Sequence, residues 1–252
     1  MKALCFTLKG KTAFFKKPEV NSYVYFTYGN IHKIALLGMF GAILGYGGYT
    51  RQYKKEGRTK KVQESFPEFY EKLNGLKVAV CPNAERGFIP KKIQTFNNSV
   101  GYASKETGGN LIVKEQWLEN PSWEIYVLLD CSEAVKLSEA LQAGKCAYIP
   151  YLGKNDHGAD IMNVHIEEMQ EQKMGDGRLH GLFPKENGTL QMNDDPFSLE
   201  DDMTYKYEEK LPYQLDPWTN NYILKSFIYT DAVIHWENQG VYCNNGNNIM
   251  FY

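Results

Sequence analysis

The sequence of 252 residues predicts an α+β fold in two regions. Residues 1–152 are expected to follow the order strand, helix, hairpin, strand, helix, strand, which is the order of a ferredoxin-like (RRM-like) unit. A long β-hairpin is predicted at about residues 88–117, where two extended segments flank the flexible pair Gly108-Gly109. Residues 153–252 predict a smaller β-rich region, because their extended segments are short and separated by Gly-, Asn- and Asp-rich turns.

The first half of the chain is organised around one apolar helix. Ala3–Leu8 has the character of a strand, and Asn21–Tyr28 is an extended polar and aromatic segment that ends in a turn at Gly29-Asn30. Ile31–Tyr46 is apolar nearly all round, which predicts a buried helix. Asn30 occupies the position expected for its N-cap.

One face of this helix carries only small residues: Gly38, Gly41, Ala42 and Gly45 lie three or four positions apart. Each glycine costs roughly 0.8–1 kcal/mol of helix stability relative to alanine. The pattern therefore predicts that another backbone approaches this face closely. The neighbour is a strand of the protein's own sheet, a partner subunit or a ligand.

The remaining elements follow from apolar periodicity between Gly, Pro and capping signals. Short helices are expected at Pro67–Leu73 and between Ser132, as N-cap, and Gly144. Asp176–Pro196 is expected to be a loop, and Asn244–Asn248 a tight turn. The expected strands are Leu76–Val80, Glu124–Leu129, Cys146–Leu152, Lys206–Tyr213, Tyr222–Tyr229, Val233–Trp236 and Ile249–Tyr252.

Charge is divided unevenly along the chain, although the net charge is only −2. Residues 1–125 hold 19 basic and 10 acidic side chains, a net of +9, and residues 126–252 hold 9 and 20, a net of −11. Such asymmetry favours a basic half that meets nucleic acid or another anion. The alternative is chance together with one acidic segment, since residues 167–209 supply much of the negative charge.

The five cysteines include no C-x-x-C pair and are odd in number, so neither a disulfide framework nor a zinc site is predicted. The amino-terminal residues lack the long apolar core of a signal peptide. The apolar run Ile34–Tyr46 is too short and too rich in glycine to span a membrane. We expect a cytoplasmic protein with reduced thiols, no cofactor and no membrane partner.

Basic residues near the start of the apolar helix indicate an anion site. His32 and Lys33 fall in its first turn, where the helix dipole disfavours cations unless an anion docks on the free N–H groups. Lys16 and Lys17 are expected to converge on the same place; the alternative is that Lys33 points to water. For the basic segment that begins at Arg51 there are two predictions: it lies along the phosphates of a nucleic acid, or it forms a solvated loop.

The predicted hairpin combines basic and aromatic residues. Lys91 and Lys92 are followed by Phe96, Asn98 and Tyr102. Basic side chains interleaved with aromatic ones suit a loop that grips a nucleic-acid backbone and stacks against bases. The alternative is an ordinary surface hairpin.

The signals for catalysis are weak. The glycines after residue 41 end a helix and lack a following Gly-Lys-Ser/Thr, so they are not a phosphate loop. Tyr28, His32 and Lys33 are candidates for acid–base cleavage of RNA at a 2′-hydroxyl, while His235 in a strand pattern is expected to be structural. Six metal-capable residues fit no ligand spacing, and no metal site is expected: Asp156, His157, Asp160, His165, Glu167 and Glu168.

Three motifs resemble one family, the Cas-five family of CRISPR-associated RAMP proteins, in the form found in type I-B systems. They are the run from Lys11 to Tyr49, with KPEVNS and ALLGMFGAILG; the segment QWLENP before a core strand; and the strand end Tyr151-Leu152-Gly153-Lys154. The resemblance covers nearly the whole chain. The sequence departs from many members of this family at residues 29–33, where those proteins carry a Pro-rich segment that leads into the helix.

The resemblance implies a RAMP domain and a non-catalytic subunit of the Cascade surveillance complex, which acts in antiviral defence. Such a subunit holds the 5′ handle of the crRNA, caps the filament of backbone subunits and docks the large subunit that reads the PAM, so target DNA is met through the complex. It further implies RNA contacts by Asn21, Ser22, Tyr28 and Lys154, with the hairpin acting as a thumb. The alternative function is a metal-independent endoribonuclease that processes precursor crRNA.

Overall fold

The structure is a computed structural model that describes residues 1–19, 23–56, 65–102, 105–190 and 205–252. Two predicted RNA contacts, Asn21 and Ser22, lie outside the described residues. The end of the basic segment, after Glu56, and the end of the predicted loop, after residue 190, also lie outside the described residues.

The described residues contain four α-helices and fourteen strands, and most strands pair in antiparallel fashion, which confirms the α+β class. The helices are α1 (Lys33–Leu44), α2 (Tyr49–Glu56), α3 (Glu68–Leu73) and α4 (Ser132–Gln142). The strands of the first part are β1 (Lys2–Lys9), β2 (Thr12–Ala13), β3 (Val78–Pro82), β4 (Lys91–Asn97), β5 (Ile112–Glu119) and β6 (Ser122–Leu128). Those of the second part are β7 (Asp160–Glu168), β8 (Gln170–Gly177), β9 (Phe183–Pro184), β10 (Thr189–Leu190), β11 (Lys206–Leu215), β12 (Tyr222–Thr230), β13 (Ile234–Asn244) and β14 (Asn247–Met250).

A central four-stranded sheet has the order β3-β6-β1-β7, with every neighbouring pair antiparallel. Side chains alternate between its faces. Leu4, Phe6 and Leu8 of β1 are fully buried on the face that packs against α1, where the rings of Phe6 and Phe40 meet edge to face at 6.3 Å. The opposite face is covered by residues of β13 and β14, such as Tyr242.

Helix α1 is apolar all round because it is enclosed on several sides. It packs against α3, α4 and β11 as well as the central sheet. At Gly41 the close neighbour is α3, since a Cβ at this position would lie 2.5 Å from the Cβ of Phe69. Gly45 ends the helix in the left-handed region, at φ 79°, with its N–H bonded to the carbonyl of Ala42. Gly38, in contrast, faces open space.

The predicted N-cap of α1 is wrong by two residues. His32 is the N-cap, and its ring Nδ1 accepts a hydrogen bond from the N–H of Ala35 at 3.2 Å. Asn30 is fully buried and serves the core instead: its side chain accepts from Trp123 Nε1 at 2.9 Å and donates to the carbonyl of Gly87. A buried indole N–H requires a partner, and Asn30 supplies it.

The predicted strand Cys146–Leu152 is also wrong. This segment caps the carboxyl end of α1: the N–H of Ala147 donates to Ile43 O at 2.9 Å, and the N–H of Tyr148 donates to Ala42 O at 3.2 Å. These two N–H groups donate to carbonyls of the last turn of the helix, so they are not available to a sheet. The fourth strand of the central sheet is β7, and the sheet therefore extends beyond residue 152.

Strands β4 and β5 pair antiparallel from Lys91↔Leu118 to Asn97↔Ile112 and form a hairpin that ends two residues beyond the predicted range, at Glu119. One face of this hairpin is turned towards the loop that follows Gly153, where Trp117 meets the ring of His157 at 4.7 Å. Its role as a thumb stays a prediction.

The second part of the chain contributes two further sheets. In one, β13 pairs with β8, β10 and β14; in the other, β12 pairs with β11 and β9. The predicted turn after Asn244 is present, with Asn245 and Gly246 both at positive φ. None of the helices in the described part of the chain is long and apolar enough to cross a lipid bilayer.

Candidate nucleic-acid-binding cleft

A cleft of about 890 Å³ runs along the small-residue face of α1. Ala35, Gly38 and Ala42 lie on one side of it. The walls come from the first turn of α2, the segment that caps α1 at its carboxyl end, and the loop at Gly153. Gly38 has no atom within 4 Å of the position of a Cβ, so the absence of a side chain there leaves the floor open.

Three basic residues from distant parts of the chain line this cleft: Lys16, Arg51 and Lys154. The side chains of Lys16 and Arg51 are exposed. Lys16 Nζ lies 4.0 Å from the centre of the Tyr25 ring, an arrangement that holds the ammonium group in place without neutralising it. Lys16 and Arg51 give the cleft a favourable field for phosphate groups, whereas the charge of Lys154 is offset by Glu115, which also lines the cleft.

Exposed tyrosines line the same cleft. Tyr49, Tyr148 and Tyr151 are 46%, 55% and 46% exposed. Aromatic rings exposed together in one groove mark a binding surface more often than rings scattered singly over the surface do. Each ring offers a surface on which a base can stack, which typically contributes ~1–3 kcal/mol per base.

A buried carboxylate fixes the position of Lys154. Glu115 on β5 is 6% exposed, accepts a hydrogen bond from Trp117 Nε1 at 2.8 Å and pairs with Lys154 Nζ at 3.3 Å. Lys154 also pairs with Asp156 at 3.1 Å and lies 5.3 Å from the centre of the Phe96 ring. Phe96 thus connects the hairpin to Lys154 at the edge of the cleft, although Phe96 itself does not line the cleft.

His32 lies at the inner end of the cleft and is only 3% exposed. Burial lowers the pKa of its imidazole to about 3. The ring is therefore neutral, and because Nδ1 accepts from Ala35, Nε2 carries the proton. The rings of Phe15, Tyr28 and Tyr222 surround it with centroids 5.2–6.0 Å away.

The structure does not bring Lys16, Lys17, His32 and Lys33 to one anion site. The protein's own Glu209 takes that role near the helix start: its carboxylate accepts from the N–H of Gly29 at 2.8 Å and pairs with Lys17 at 2.9 Å. A carboxylate held by a backbone donor and a lysine leaves little room for a second anion.

Lys33 points into the protein. It is 8% exposed, and its Nζ donates to the backbone oxygen of Tyr252 at 3.1 Å and lies 5.2 Å from the Tyr213 ring centre. Burial, with a smaller contribution from Lys225, lowers the pKa of its ammonium group to about 8. The alternative that Lys33 points to water is wrong, and its contact with RNA remains a prediction that this position does not favour.

The other predicted contacts are distributed along the hairpin. Burial lowers the pKa of Lys91, and Lys92 pairs with Glu119 at 3.2 Å. Asn98 is exposed, and Tyr102 is 78% exposed near the hairpin tip. These four residues do not line the cleft, so their contacts with RNA stay predictions.

Tyr28 completes the proposed acid–base set of Tyr28, His32 and Lys33. Its ring is 1% exposed, its hydroxyl donates to Glu19 at 3.3 Å, and burial raises its pKa above the ordinary value. The rings of Tyr28 and His32 meet edge to face at 5.2 Å, while Lys33 contacts Tyr252 and Tyr213; each of the three side chains is buried and engaged with the protein.

Several cleft residues could not be predicted from sequence. The aromatic lining also includes Phe14 and Tyr222, which are far apart in the chain. Tyr148 and Tyr151 lie in the segment that the sequence assigned to a strand. A useful signal was available there, since Pro150 cannot donate to a ladder and disfavours a central strand.

No protein-family model and no curated protein matches this sequence. Solved structures do resemble it. A chain of a CRISPR RNA-guided surveillance complex superposes with a TM-score of 0.52 at 14% identity, over 92% of this chain and 91% of that one. A CRISPR protein from Archaeoglobus fulgidus superposes with a TM-score of 0.54 at 12% identity, over 100% and 98%. The chain therefore has the fold of these CRISPR-associated proteins over essentially its whole length.

Proposed function

We propose that this protein is the subunit of a type I, I-B-like, Cascade complex that holds the 5′ handle of the crRNA. The observation that carries the proposal is the cleft along α1, in which Lys16, Arg51 and Lys154 accompany exposed tyrosines. The likeness in fold to a chain of a CRISPR RNA-guided surveillance complex supports it.

The chemistry of the cleft suits single-stranded RNA. Phosphates have two exposed cations to approach, Lys16 and Arg51, and unstacked bases have tyrosine rings on which to lie. The floor at Gly38 lets a ribose or base approach the helix backbone closely, since nothing within 4 Å occupies the place of a side chain. These contacts hold an RNA without altering it.

The same proposal gives a role to the other parts of the fold. The order β3-β6-β1-β7, with α1 and α4 on one face, supports a ferredoxin-like RAMP domain. The hairpin of β4 and β5 would act as the thumb, with Tyr102 near its tip. The backbone subunit and the large subunit would dock on surfaces outside the cleft, in the cytoplasm, and target DNA would be read by pairing with the guide.

We assign no catalytic role to the chain. The set Tyr28, His32 and Lys33 offers no exposed acid or base, since each residue is at most 8% exposed. Reaching a 2′-hydroxyl requires a group within hydrogen-bond distance of it. An endoribonuclease of precursor crRNA remains the alternative that the following experiment separates.

The test is a titration of fluorescently labelled repeat RNA with wild-type protein and with Lys16→Ala/Arg51→Ala, at several salt concentrations. Both side chains are exposed, so the variant should fold normally. We expect weaker binding and a slope of log K against log salt that is shallower by about 1.4, because two phosphate contacts to a single strand are lost.

The matched control is Lys173→Ala/Arg178→Ala, which removes the same charges from exposed positions outside the cleft. It should retain the wild-type slope. Equal losses of RNA affinity in the two variants would show that the cleft is not the RNA site. A cleaved product without added metal would favour the endoribonuclease.

A further inference from the structure

Three side chains able to ligate a metal meet on the face of the central sheet that is turned away from α1. The thiol of Cys5, a ring nitrogen of His165 and a carboxylate oxygen of Glu167 all lie within 4.8 Å of one another. His165 Nε2 and Glu167 Oε1 are 3.0 Å apart. None of the three lines the cleft.

Strand register explains why these residues meet. Cys5 on β1 is the direct antiparallel partner of His165 on β7, and Glu167 follows two residues later on the same face. The pairing is irregular immediately after Cys5, and Asn163 on β7 adopts the left-handed region at φ 54°. A bulge of this kind commonly re-aims a side chain, here that of His165.

Each of the three groups is oriented by a second contact. His165 Nδ1 lies 2.6 Å from the backbone carbonyl of Asn163, so in the neutral ring the proton stays on Nδ1 and Nε2 is the nitrogen that can ligate a metal. The other carboxylate oxygen of Glu167 accepts from Asn244 Nδ2 at 2.5 Å. The thiol of Cys5 is hydrogen-bonded to the side chain of Tyr126.

We propose that Cys5, His165 and Glu167 form a site for a zinc ion. Sulfur, imidazole and carboxylate are the three protein ligand types that zinc accepts, and tetrahedral zinc places its donors about 3.3–3.7 Å apart. Small side-chain rotations bring the present atoms to that spacing. The side chain of His165 is 49% exposed, so the site is accessible from solvent on that side. The thiol proton leaves to solvent when the ion binds.

The ion would tie β7, an edge of the central sheet, to β1, and through Asn244 to β13. Binding to the folded chain alone raises its stability. This role is independent of RNA binding, because the site lies on the other face of the sheet from α1.

The test uses Co²⁺ as a spectroscopic probe for zinc, added to chelator-treated full-length protein. We expect one ion per chain, a thiolate-to-cobalt charge-transfer band, displacement by Zn²⁺ and a higher melting temperature. Cys5→Ser should abolish the band. Asn244→Ala should keep it but weaken the affinity about 10–100-fold, the usual cost of losing an orienting partner.

Two matched controls make the assignment specific. Cys81→Ser removes a neighbouring thiol that donates to the carbonyl of His180, and His235→Gln removes an imidazole paired with Asp176 at 2.7 Å. Both should retain the band. Because His165 is largely exposed, His165→Gln is the variant that tests the site without endangering the fold, and it should lose the band. An unchanged band in Cys5→Ser or His165→Gln, or absence of one-to-one binding in the wild type, overturns the proposal.

Discussion

Gly153→Ala should destabilise the protein by roughly 2–5 kcal/mol, the sum of a left-handed backbone cost of ~1–2 kcal/mol and an overpacking cost of ~1–3 kcal/mol. Gly153 has φ 87°, and a Cβ there would lie 2.0 Å from the carbonyl oxygen of Phe14. Backbone cannot move aside as a flexible side chain can. The loop that carries Lys154 would therefore be displaced from the cleft. Urea unfolding of the two proteins measures the effect.

Gly108→Ala is the matched control for this substitution. Gly108 has a similar φ of 79°, but nothing lies within 4 Å of its Cβ position. It should show the backbone cost alone and keep wild-type affinity for RNA. If both variants lose the same free energy of unfolding, the close packing of Gly153 on Phe14 is incorrect.

The second large effect is a loss of stability in acid caused by His32. The folded state holds this ring neutral down to a pKa of about 3, while the unfolded chain binds a proton near the ordinary value of 6.5. The unfolded state thus binds more protons in this interval, and the free energy of unfolding falls as pH drops from 6.5 towards 3. At ~1.4 kcal/mol per pKa unit, the full loss is roughly 4–5 kcal/mol.

His32→Asn isolates this contribution, because asparagine keeps an N-cap acceptor for Ala35 but does not titrate. Denaturant unfolding between pH 7 and pH 5 should show the wild type losing stability more steeply than the variant. Parallel pH profiles would mean that His32 is not held neutral in the folded protein. A difference in the free energy of unfolding between the two proteins at pH 7 reports the packing against Tyr28 and Tyr222. The test compares only the slopes with pH.

The sequence predicts much of the fold because local signals and burial agree. The apolar run after Asn30 gives α1, the apolar segment Ala3–Leu8 gives β1, and Asn245-Gly246 supplies the positive φ values of a tight turn. The strand prediction at Cys146–Leu152 failed because its N–H groups cap α1, which is a tertiary contact.

The candidate sites were harder to predict than the elements. Proximity in sequence did not predict which basic residues share a site: Lys17 pairs with Glu209, nearly two hundred residues away, while Lys16 lines the cleft with Lys154. The cluster of Cys5 and His165 depends on strand register and on a bulge, neither of which spacing reveals.

The most direct test of the central claim is to fill the cleft with Gly38→Leu. A leucine replaces a helical glycine that has no atom within 4 Å of its Cβ position, so the chain should fold and gain up to about 1 kcal/mol of helix stability. Gly75→Leu, at another open glycine outside the cleft, is the control. In a repeat-RNA titration we predict that Gly38→Leu loses at least about tenfold in affinity, a cost of ~1.4 kcal/mol, while Gly75→Leu binds as the wild type does. A folded Gly38→Leu variant with undiminished affinity would contradict the assignment of the RNA to this cleft.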